Sequence, residues 1–468
     1  MSTDSKILGV VLIARHGDRE GFYQDPTTYT PSATSITPLG EIQEFALGNL
    51  IRSLYLDPAG PKYIGATSPL FNQSQVAVRA DAGGEGGVIF DSAIAVTQGL
   101  FPPNAANKIK LANGTTVTSP FDGYQYVPIE SVEPNEDVSL EGFTSCPNFA
   151  SKNAAFYQSP AFLQKANESA AFLNALPPFL DGRPVTLDNM WNIYDFMNVQ
   201  SIHNKTFVDR LPPTFLAQAR DLANYHEYGV FSDPSFTGIG NIASRTMLPS
   251  LFTAMQRIVN ASDPLLFHYS AISYKPFLSL FNMTGIIETS QLPSALVDYA
   301  SALVFELRQP SDNSEPVIRL QFKNGTNDNT FHALNISIPG HTSGGDLPLS
   351  QFISTFEPAA VNTTLQWCKV CGQNVDRGCA ALLGAGGAST SSSGGWSSTG
   401  TSTSMGQHDR ISPVGAGFLG AGLTAAVFLM VLGAALGLGF LTLGRKTRGK
   451  TSSQRGLHSE ESSIRDEK

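Results

Sequence analysis

The chain has 468 residues, of which 15% are charged and 41% hydrophobic, and its formal net charge is −9. This length allows two or three domains, or one large α/β domain with an insertion. From Arg445 to the C terminus, seven Lys/Arg accompany four Asp/Glu, so this tail is +3 and residues 1–444 carry −12. An acidic body argues against nucleic acid as a partner, and an anionic substrate would need a local basic pocket.

Residues 7–20, ILGVVLIARHGDRE, contain the most informative motif of the chain. The uncharged, β-branched run predicts a buried parallel strand, followed at once by Arg15, His16, Gly17 and Arg19. Ligands of open α/β sheets bind at the carboxyl ends of the strands. Arginine forks match phosphate oxygens and an imidazole can attack phosphorus. We therefore expect an anion site with His16 as nucleophile and Arg15 and Arg19 as phosphate ligands. The alternative is an ordinary strand-to-loop transition with solvated arginines.

A helix is predicted after this loop, because Thr37 can cap it and Pro38 fits its first position. Its apolar stripe, which includes Leu39, Ile42, Leu50 and Leu54, is expected in the core. Further elements are predicted in chain order: a strand at 75–80, the helix VIFDSAIAVTQGLFPP, a mainly helical insert at about 115–245, a helix at 244–260, a strand at 265–271, and an antiparallel hairpin of strands 302–307 and 317–322.

Four cysteines are too few for a disulfide scaffold, and the CxxC of Cys368 and Cys371 lacks two further zinc ligands nearby. Disulfides are therefore expected, with three connectivities possible. His203 and His226 also lack ligand spacing, so we expect no metal and no cofactor. Nine glycosylation sequons point to an extracellular or lumenal body: Asn72, Asn113, Asn167, Asn204, Asn260, Asn282, Asn324, Asn335 and Asn362.

The C-terminal part has the composition of a membrane anchor. Residues 381–412 are rich in Gly, Ser and Thr and predict a flexible stalk, and residues 413–444 form an uncharged run long enough for a transmembrane helix. The basic segment 445–468 follows, so we expect a cytoplasmic tail and an ectodomain, residues 1–380, on the opposite side. The first residues show no signal peptide, which we interpret as a truncated gene model.

The Arg-His-Gly-x-Arg motif resembles the signature of the histidine phosphatase superfamily, specifically its acid phosphatase and phytase branch and the fungal-type, membrane-anchored members. The T-PLG-x-x-Q pattern from Thr37 to Gln43 and the Ser92-Ala93 step before Gly99-Leu100-Phe101-Pro102 are similar to further family segments. The resemblance implies a phosphoglycerate mutase-like α/β fold, a three-layer sandwich with a helical insert. It also implies that a phosphohistidine forms on His16, with Arg15 and Arg19 as the phosphate clamp.

Two family positions differ in this chain. The additional family arginine corresponds to Val88, and the His-Asp pair that supplies the proton donor corresponds to Ile272-Ser273. Four acidic residues are candidate substitutes: Asp18, Glu20, Asp81 and Glu85. The leading hypothesis is hydrolysis of phosphate monoesters outside the cytoplasm. The rival hypothesis is a pseudophosphatase that binds an anion or a protein without turnover.

Overall fold

A computed structural model describes residues 5–21, 34–65, 69–289, 292–340 and 345–387. All of them belong to the structural unit Met1–Ser392. Within these ranges, no helix is both long and apolar enough to cross a bilayer. The predicted membrane span at 413–444 and the predicted tail lie outside the described residues, as does most of the predicted stalk.

The strands are β1 (Ser5–Arg15), β2 (Val76–Asp81), β3 (Lys108–Lys110), β4 (Thr116–Thr118), β5 (Glu130–Val132), β6 (Phe267–Ile272), β7 (Ala302–Pro310), β8 (Val317–Lys323), β9 (His332–Leu334) and β10 (Leu347–Pro348). The helices are α1 (Pro38–Ile51), α2 (Gly86–Leu100), α3 (Pro120–Gly123), α4 (Pro147–Tyr157), α5 (Pro160–Glu168), α6 (Ala170–Ala175), α7 (Met190–His203), α8 (Lys205–Arg210), α9 (Phe215–Val230), α10 (Ile242–Arg245), α11 (Leu248–Val259), α12 (Lys275–Met283), α13 (Leu349–Phe356), α14 (Thr364–Cys371) and α15 (Cys379–Gly387).

The main sheet is mixed, with strand order β10-β8-β7-β1-β6-β2-β5 and β9 paired to β8. Strand β1 lies in its interior, parallel to β6 on one side and antiparallel to β7 on the other. Residues Val10 to Ala14 of β1 are fully buried, as expected for a strand that is covered on both faces. The antiparallel pairing of β7 with β8 is the hairpin predicted from the sequence.

Helices cover both faces of the sheet. Val10 and Leu12 belong to a cluster with the apolar residues of α1 and α2, whereas Val11 and Ile13 belong to a cluster with those of α11 and α12. This division follows from the alternation of side chains along a strand. The α/β architecture expected from the sequence is therefore present, with a mixed sheet between helices.

The predicted apolar stripe of α1 is wrong in part. Leu39 and Ile42 are 42% and 67% exposed, although Thr37 caps this helix and Pro38 begins it as predicted. The buried face instead includes Gly40 and Gly48. A Cβ on Gly48 would lie 2.2 Å from a backbone oxygen of α2, so the two helices approach through glycine and not through large apolar side chains.

Between β5 and β6 the chain is mainly helical, from α4 to α11, and β5 itself pairs with β2 at the sheet edge. Two disulfides bind the C-terminal helices to this region and to each other. Cys146 pairs with Cys371, and Cys368 pairs with Cys379. The expectation of disulfides is confirmed, and one of its three possible connectivities is selected.

Candidate active site

The carboxyl end of β1 places Arg15, His16 and Arg19 in the interior, with exposed fractions of 7%, 1% and 0%. Because β6 runs parallel beside β1, its end reaches the same edge of the sheet, and the amide of His16 donates to the carbonyl of Ile272 over 3.2 Å. The amide of Arg15 donates to the carbonyl of Ser301 over 2.9 Å. The structure thus brings the three predicted residues together where open α/β sheets bind ligands.

The start of α1 holds the loop that carries these side chains. A Cβ on Gly17 would lie 2.6 Å from the carbonyl oxygen of Gly40, so the loop backbone packs directly on the helix backbone. The Asp18 amide donates to Gln43 Oε1 at 2.8 Å, and the Thr37 hydroxyl donates to Asp18 Oδ2 at 2.5 Å. Asp18 is therefore committed to fixing the loop, which favours a preorganised site.

The orientation of His16 is defined by two acceptors. Its Nδ1 lies 2.8 Å from the carbonyl oxygen of Gly17, so Nδ1 carries a proton and Nε2 is the nitrogen available for chemistry. Nε2 lies 3.1 Å from Glu85 Oε2. Burial lowers the pKa of His16 below its ordinary value, against the opposite effect of Glu85.

Arg19 is engaged by carboxylates on two other elements. Its Nε and Nη2 donate to Glu85 Oε1 at 3.0 and 2.6 Å, and Nη1 donates to Asp195 Oδ2 at 3.3 Å. Burial opposes the charge on Arg19, but Asp195 and Glu85 raise its pKa well above the ordinary value. Burial likewise favours the neutral acid of Glu85, but Arg19 and His16 hold the pKa of this carboxyl well below its usual range.

Arg15 lies between aromatic rings on the other side of His16. Its guanidinium carbon lies 4.5 Å from the ring centroid of Tyr299 and 5.2 Å from that of Tyr274, and Nη1 donates to the carbonyl of Val297. The Tyr299 ring also lies 5.5 Å from the His16 ring. Arg15 Nε and the Tyr299 hydroxyl are buried, and no hydrogen-bond partner is present for them among the described residues.

A cavity of about 230 Å³ opens beside this cluster. Arg15, Tyr299 and Asp195 reach it from the site, and α7 and α9 contribute further lining residues that include Trp191, Tyr194 and Arg220. The Arg220 guanidinium is paired with Asp298 over 2.5 Å, so its charge is largely neutralised. The cavity therefore offers aromatic surface next to the polar site.

The positions where the chain departs from the family are apolar or weakly polar. Val88 is fully buried in α2. Ile272 ends β6, and Ser273 follows it with its hydroxyl buried. These three side chains carry no charge, and none of them is a carboxylic acid or an imidazole.

The four candidate acids differ in their distance from the imidazole. Glu85 contacts His16 directly, whereas Asp18 is bonded within the loop and Glu20 is exposed. Asp81 is buried at the end of β2, where burial and then Glu141 raise its pKa to about 7. Glu85 is therefore the candidate that the structure places at the expected nucleophile.

Sequence reasoning missed several residues of the site. Asp195 lies in α7, Tyr274 directly before α12 and Tyr299 in the turn before β7, and none of them belongs to a motif. Asp195 lies in the middle of α7 among apolar residues, and this is a weak signal of a buried polar role. His203, which lacks ligand spacing in the sequence, is exposed, and its Nε2 lies 2.8 Å from Asp18 Oδ2.

Residues 20–323 match the sequence model of the family described as "Histidine phosphatase superfamily (branch 2)". The chain belongs to this superfamily. The matched range covers more than half of the chain and begins directly after Arg19, so the motif at 15–19 precedes it.

Curated relatives of this histidine phosphatase include human lysosomal acid phosphatase, which is 23% identical over 385 residues and is matched over 78% of this chain and 81% of the relative. Rat prostatic acid phosphatase is 24% identical over 361 residues, with 75% and 85% covered. These similarities agree with a phosphatase-type family.

Solved structures share the fold at low identity. The apo phytase of Hafnia alvei matches with a TM-score of 0.55 and 14% identity over 79% of this chain and 99% of that one. The phytase of Citrobacter braakii matches with a TM-score of 0.54 and 14% identity, with 78% and 99% covered. Both matches show the fold alone.

Proposed function

We propose that this histidine phosphatase hydrolyses phosphate monoesters through a phosphohistidine on His16. The observation that carries the proposal is a pair of buried polar groups beside the imidazole that lack a hydrogen-bond partner among the described residues: Arg15 Nε and the Tyr299 hydroxyl. An unpaired buried donor costs about 1–3 kcal/mol, so such a cluster is expected where a ligand supplies the acceptors. A phosphate group offers several strong acceptor oxygens.

The geometry suits in-line displacement at phosphorus. With Nδ1 donating to Gly17, the Nε2 lone pair of the neutral ring is directed away from the backbone and can form the N–P bond. Arg15 and Arg19 flank the ring in sequence and in space, so their guanidiniums can stabilise the charge on the equatorial oxygens. The alcohol part of the substrate would occupy the cavity lined by Trp191 and Tyr194.

Substrate binding must also change the contacts of Arg19. Each nitrogen of its guanidinium already donates to a protein acceptor, with Glu85 taking two of these bonds. A bound phosphate therefore competes with the Glu85 carboxylate for Arg19. Tight binding of inorganic phosphate is not expected at a pH where Glu85 is ionised.

The test is an assay of the full chain, purified in mild detergent, on para-nitrophenyl phosphate between pH 4 and 7. The variant is His16→Ala, and the matched control is His332→Ala, since His332 is exposed. We expect hydrolysis by the parent and the control and none by His16→Ala. Activity that survives in His16→Ala would overturn the proposal. An inactive parent that still binds phosphate would favour the rival, a pseudophosphatase that acts as a recognition module.

We also propose that the protein is a membrane-anchored glycoprotein. Support comes from the uncharged run at 413–444 with the basic segment after it. Five of the nine sequon asparagines are exposed: Asn113, Asn167, Asn204, Asn260 and Asn362. We expect the protein to resist alkaline extraction from membranes and to lose this resistance when residues 413–444 are deleted. We also expect its mass to decrease on enzymatic deglycosylation.

A further inference from the structure

Glu85 stands at the reacting nitrogen of His16, although no sequence motif assigns it a role. It precedes the first residue of α2 and lies in the segment DAGGEGG, where glycine occupies positions 83, 84, 86 and 87. The carboxylate is buried, with Oε2 3.1 Å from His16 Nε2 and Oε1 bonded to Arg19. It therefore reaches both the expected nucleophile and one expected phosphate ligand.

The contacts of His16 require a proton between these two side chains. Nδ1 faces the Gly17 carbonyl, which can only accept, and Nε2 faces a carboxylate oxygen. A neutral ring protonated on Nδ1 would direct its Nε2 lone pair at an ionised carboxylate, which is repulsive. The observed arrangement is favourable when the ring is an imidazolium and Glu85 is ionised, which agrees with the lowered pKa of this carboxyl. In this form, the pair holds one proton.

We propose that Glu85 is the general acid and base of this phosphatase and takes the role that the family His-Asp pair performs elsewhere. The inference rests on the proposed function, because it needs His16 to attack phosphorus. It also assigns a reason for the change at Ile272-Ser273. With Glu85 delivered from the start of α2, a donor at the end of β6 is no longer needed.

The shared proton balances both chemical steps. In the first, His16 Nε2 forms a bond to phosphorus, the P–O bond of the ester breaks, and the proton of the pair moves through Glu85 to the leaving oxygen, which departs as an alcohol. In the second, Glu85 takes a proton from water, the water oxygen bonds to phosphorus, and the N–P bond breaks. His16 and Glu85 then again share one proton, and inorganic phosphate is released.

Charged groups from several elements face Glu85. Arg19 and His16 approach from the end of β1 and Lys275 from the start of α12, and all three favour the ionised carboxylate. Asp81 at the end of β2 and Glu141 are further acids of the same cluster. A dianionic phosphate at Arg19 would weaken the hold of this arginine on Glu85, so substrate binding itself favours transfer of the proton to the carboxylate.

Asp81 is the rival donor because its pKa, raised to about 7, keeps it largely protonated at acid pH. Its described contacts, however, do not include His16. Oδ1 accepts from the Gly83 amide at 2.9 Å, and its main charge partner is Glu141. No described ion pair or hydrogen bond joins Asp81 to the imidazole, whereas Glu85 has direct contact.

The experiment compares two leaving groups. Para-nitrophenyl phosphate releases an acidic phenol that needs little protonation, whereas glycerol 2-phosphate releases an alcohol that needs it fully. Glu85→Gln keeps the shape and an acceptor for Arg19 but cannot deliver a proton. We expect kcat/KM on glycerol 2-phosphate to fall about 10²- to 10⁴-fold and on para-nitrophenyl phosphate by less than about tenfold. Asp91→Asn, an exposed carboxylate on α2, is the matched control.

Three other outcomes would each overturn the assignment of Glu85 as the general acid and base. Equal losses on both substrates would mean that Glu85 only orients Arg19. An unchanged or increased activity on both would mean that the carboxylate merely obstructs the anion site. A selective loss on glycerol 2-phosphate in Asp81→Asn and not in Glu85→Gln would assign the role to Asp81.

Chemical rescue gives a second readout that does not depend on the Gln variant. In Glu85→Ala, added formate should restore turnover of glycerol 2-phosphate, and no rescue in a folded variant would count against the proposal. Failure of the proposed function can be distinguished from failure of the role of Glu85. An inactive parent refutes the proposed function, whereas an active parent, an inactive His16→Ala and an unaffected Glu85→Gln refute only the role of Glu85.

Discussion

Replacement of Asp81 by Asn is predicted to stabilise the protein at neutral pH and to leave its stability unchanged at acid pH. Asp81 is 3% exposed, and burial followed by the charge of Glu141 raises its pKa from 3.8 to about 7. Because the folded state holds a proton that the unfolded chain releases above pH 3.8, the free energy of unfolding falls as pH rises between these values.

The magnitude follows from the shift of about three pKa units, each of which corresponds to 1.36 kcal/mol. Ionisation of Asp81 in the fold thus costs up to about 4 kcal/mol by pH 8. The asparagine of the variant carries no charge at any pH, and its amide oxygen can still accept from the Gly83 amide. The variant therefore avoids this cost, while parent and variant are equally neutral at pH 4 and below.

Thermal unfolding of the full chain, measured by calorimetry from pH 4 to pH 8, tests this prediction. The midpoint of Asp81→Asn should rise increasingly above that of the parent as pH increases. Glu136→Gln, at an exposed position, is the control and should follow the parent throughout. A variant that is less stable than the parent at every pH would contradict this prediction, because it would show that Asp81 is ionised in the fold and held by Lys275.

Four further predictions concern the site, the core and the disulfides. Arg19→Lys should lower kcat/KM on para-nitrophenyl phosphate about 10²- to 10³-fold, since an ammonium cannot make the bidentate hydrogen bonds that a guanidinium makes to phosphate. Kinetics close to those of the parent would show that Arg19 does not bind the phosphate. In the parent, the free energy of unfolding should fall by about 3 kcal/mol as pH decreases from 6.5 to about 4, because burial lowers the pKa of His268 to about 4 and only the unfolded chain takes up the proton. His268→Gln should abolish this decrease. Parallel changes of parent and variant in thermal unfolding across this pH range would contradict the prediction. Gly48→Val should lower the free energy of unfolding in urea by at least about 1–3 kcal/mol, because the new side chain would collide with α2. An unchanged stability would mean that α1 and α2 can move apart to accommodate it. Replacing Cys146 and Cys371 by Ser should lower the free energy of unfolding by about 5 kcal/mol, because this disulfide closes a loop of 225 residues. Replacing Cys368 and Cys379 should lower it by only about 3 kcal/mol, because these cysteines are 11 residues apart. Equal losses for the two pairs in urea unfolding would contradict this ranking.

The sequence predicted the centre of the fold because its signals there are local. An uncharged β-branched run becomes β1, and Arg15, His16 and Arg19 follow it, so their position at the edge of the sheet needs no knowledge of distant residues. The capping Thr37 and the following Pro38 marked the start of α1 for the same reason.

The buried face of α1 was not predictable from a hydrophobic stripe. The contact with α2 runs through Gly48 and Gly99, and a search for large apolar residues gives glycines no weight. Glu44 is fully buried on the same helix, whereas Ile42 is the most exposed of its apolar residues. Backbone approach outweighs side-chain hydrophobicity at this interface, and only the tertiary structure shows it.

The charge partners of the site were equally hidden. Glu85 lies in a glycine-rich segment without periodicity, which is ordinarily interpreted as a turn, and Asp195 is 176 residues from Arg19. A spacing rule cannot join residues that meet through different strands and helices. The choice among disulfide connectivities failed to follow from the sequence for the same reason, since Cys146 and Cys371 are brought together by the helical region.

Trapping of the phosphoenzyme is the decisive test of His16 as the nucleophile. The full chain would be mixed with phosphate-labelled para-nitrophenyl phosphate and quenched within milliseconds in alkaline detergent, because phosphohistidine survives alkali and not acid. We predict label on the peptide that contains His16 in the parent and in His332→Ala, and no label in His16→Ala. Turnover without any trapped label, or label that persists in His16→Ala, would contradict the assignment of His16 as the nucleophile.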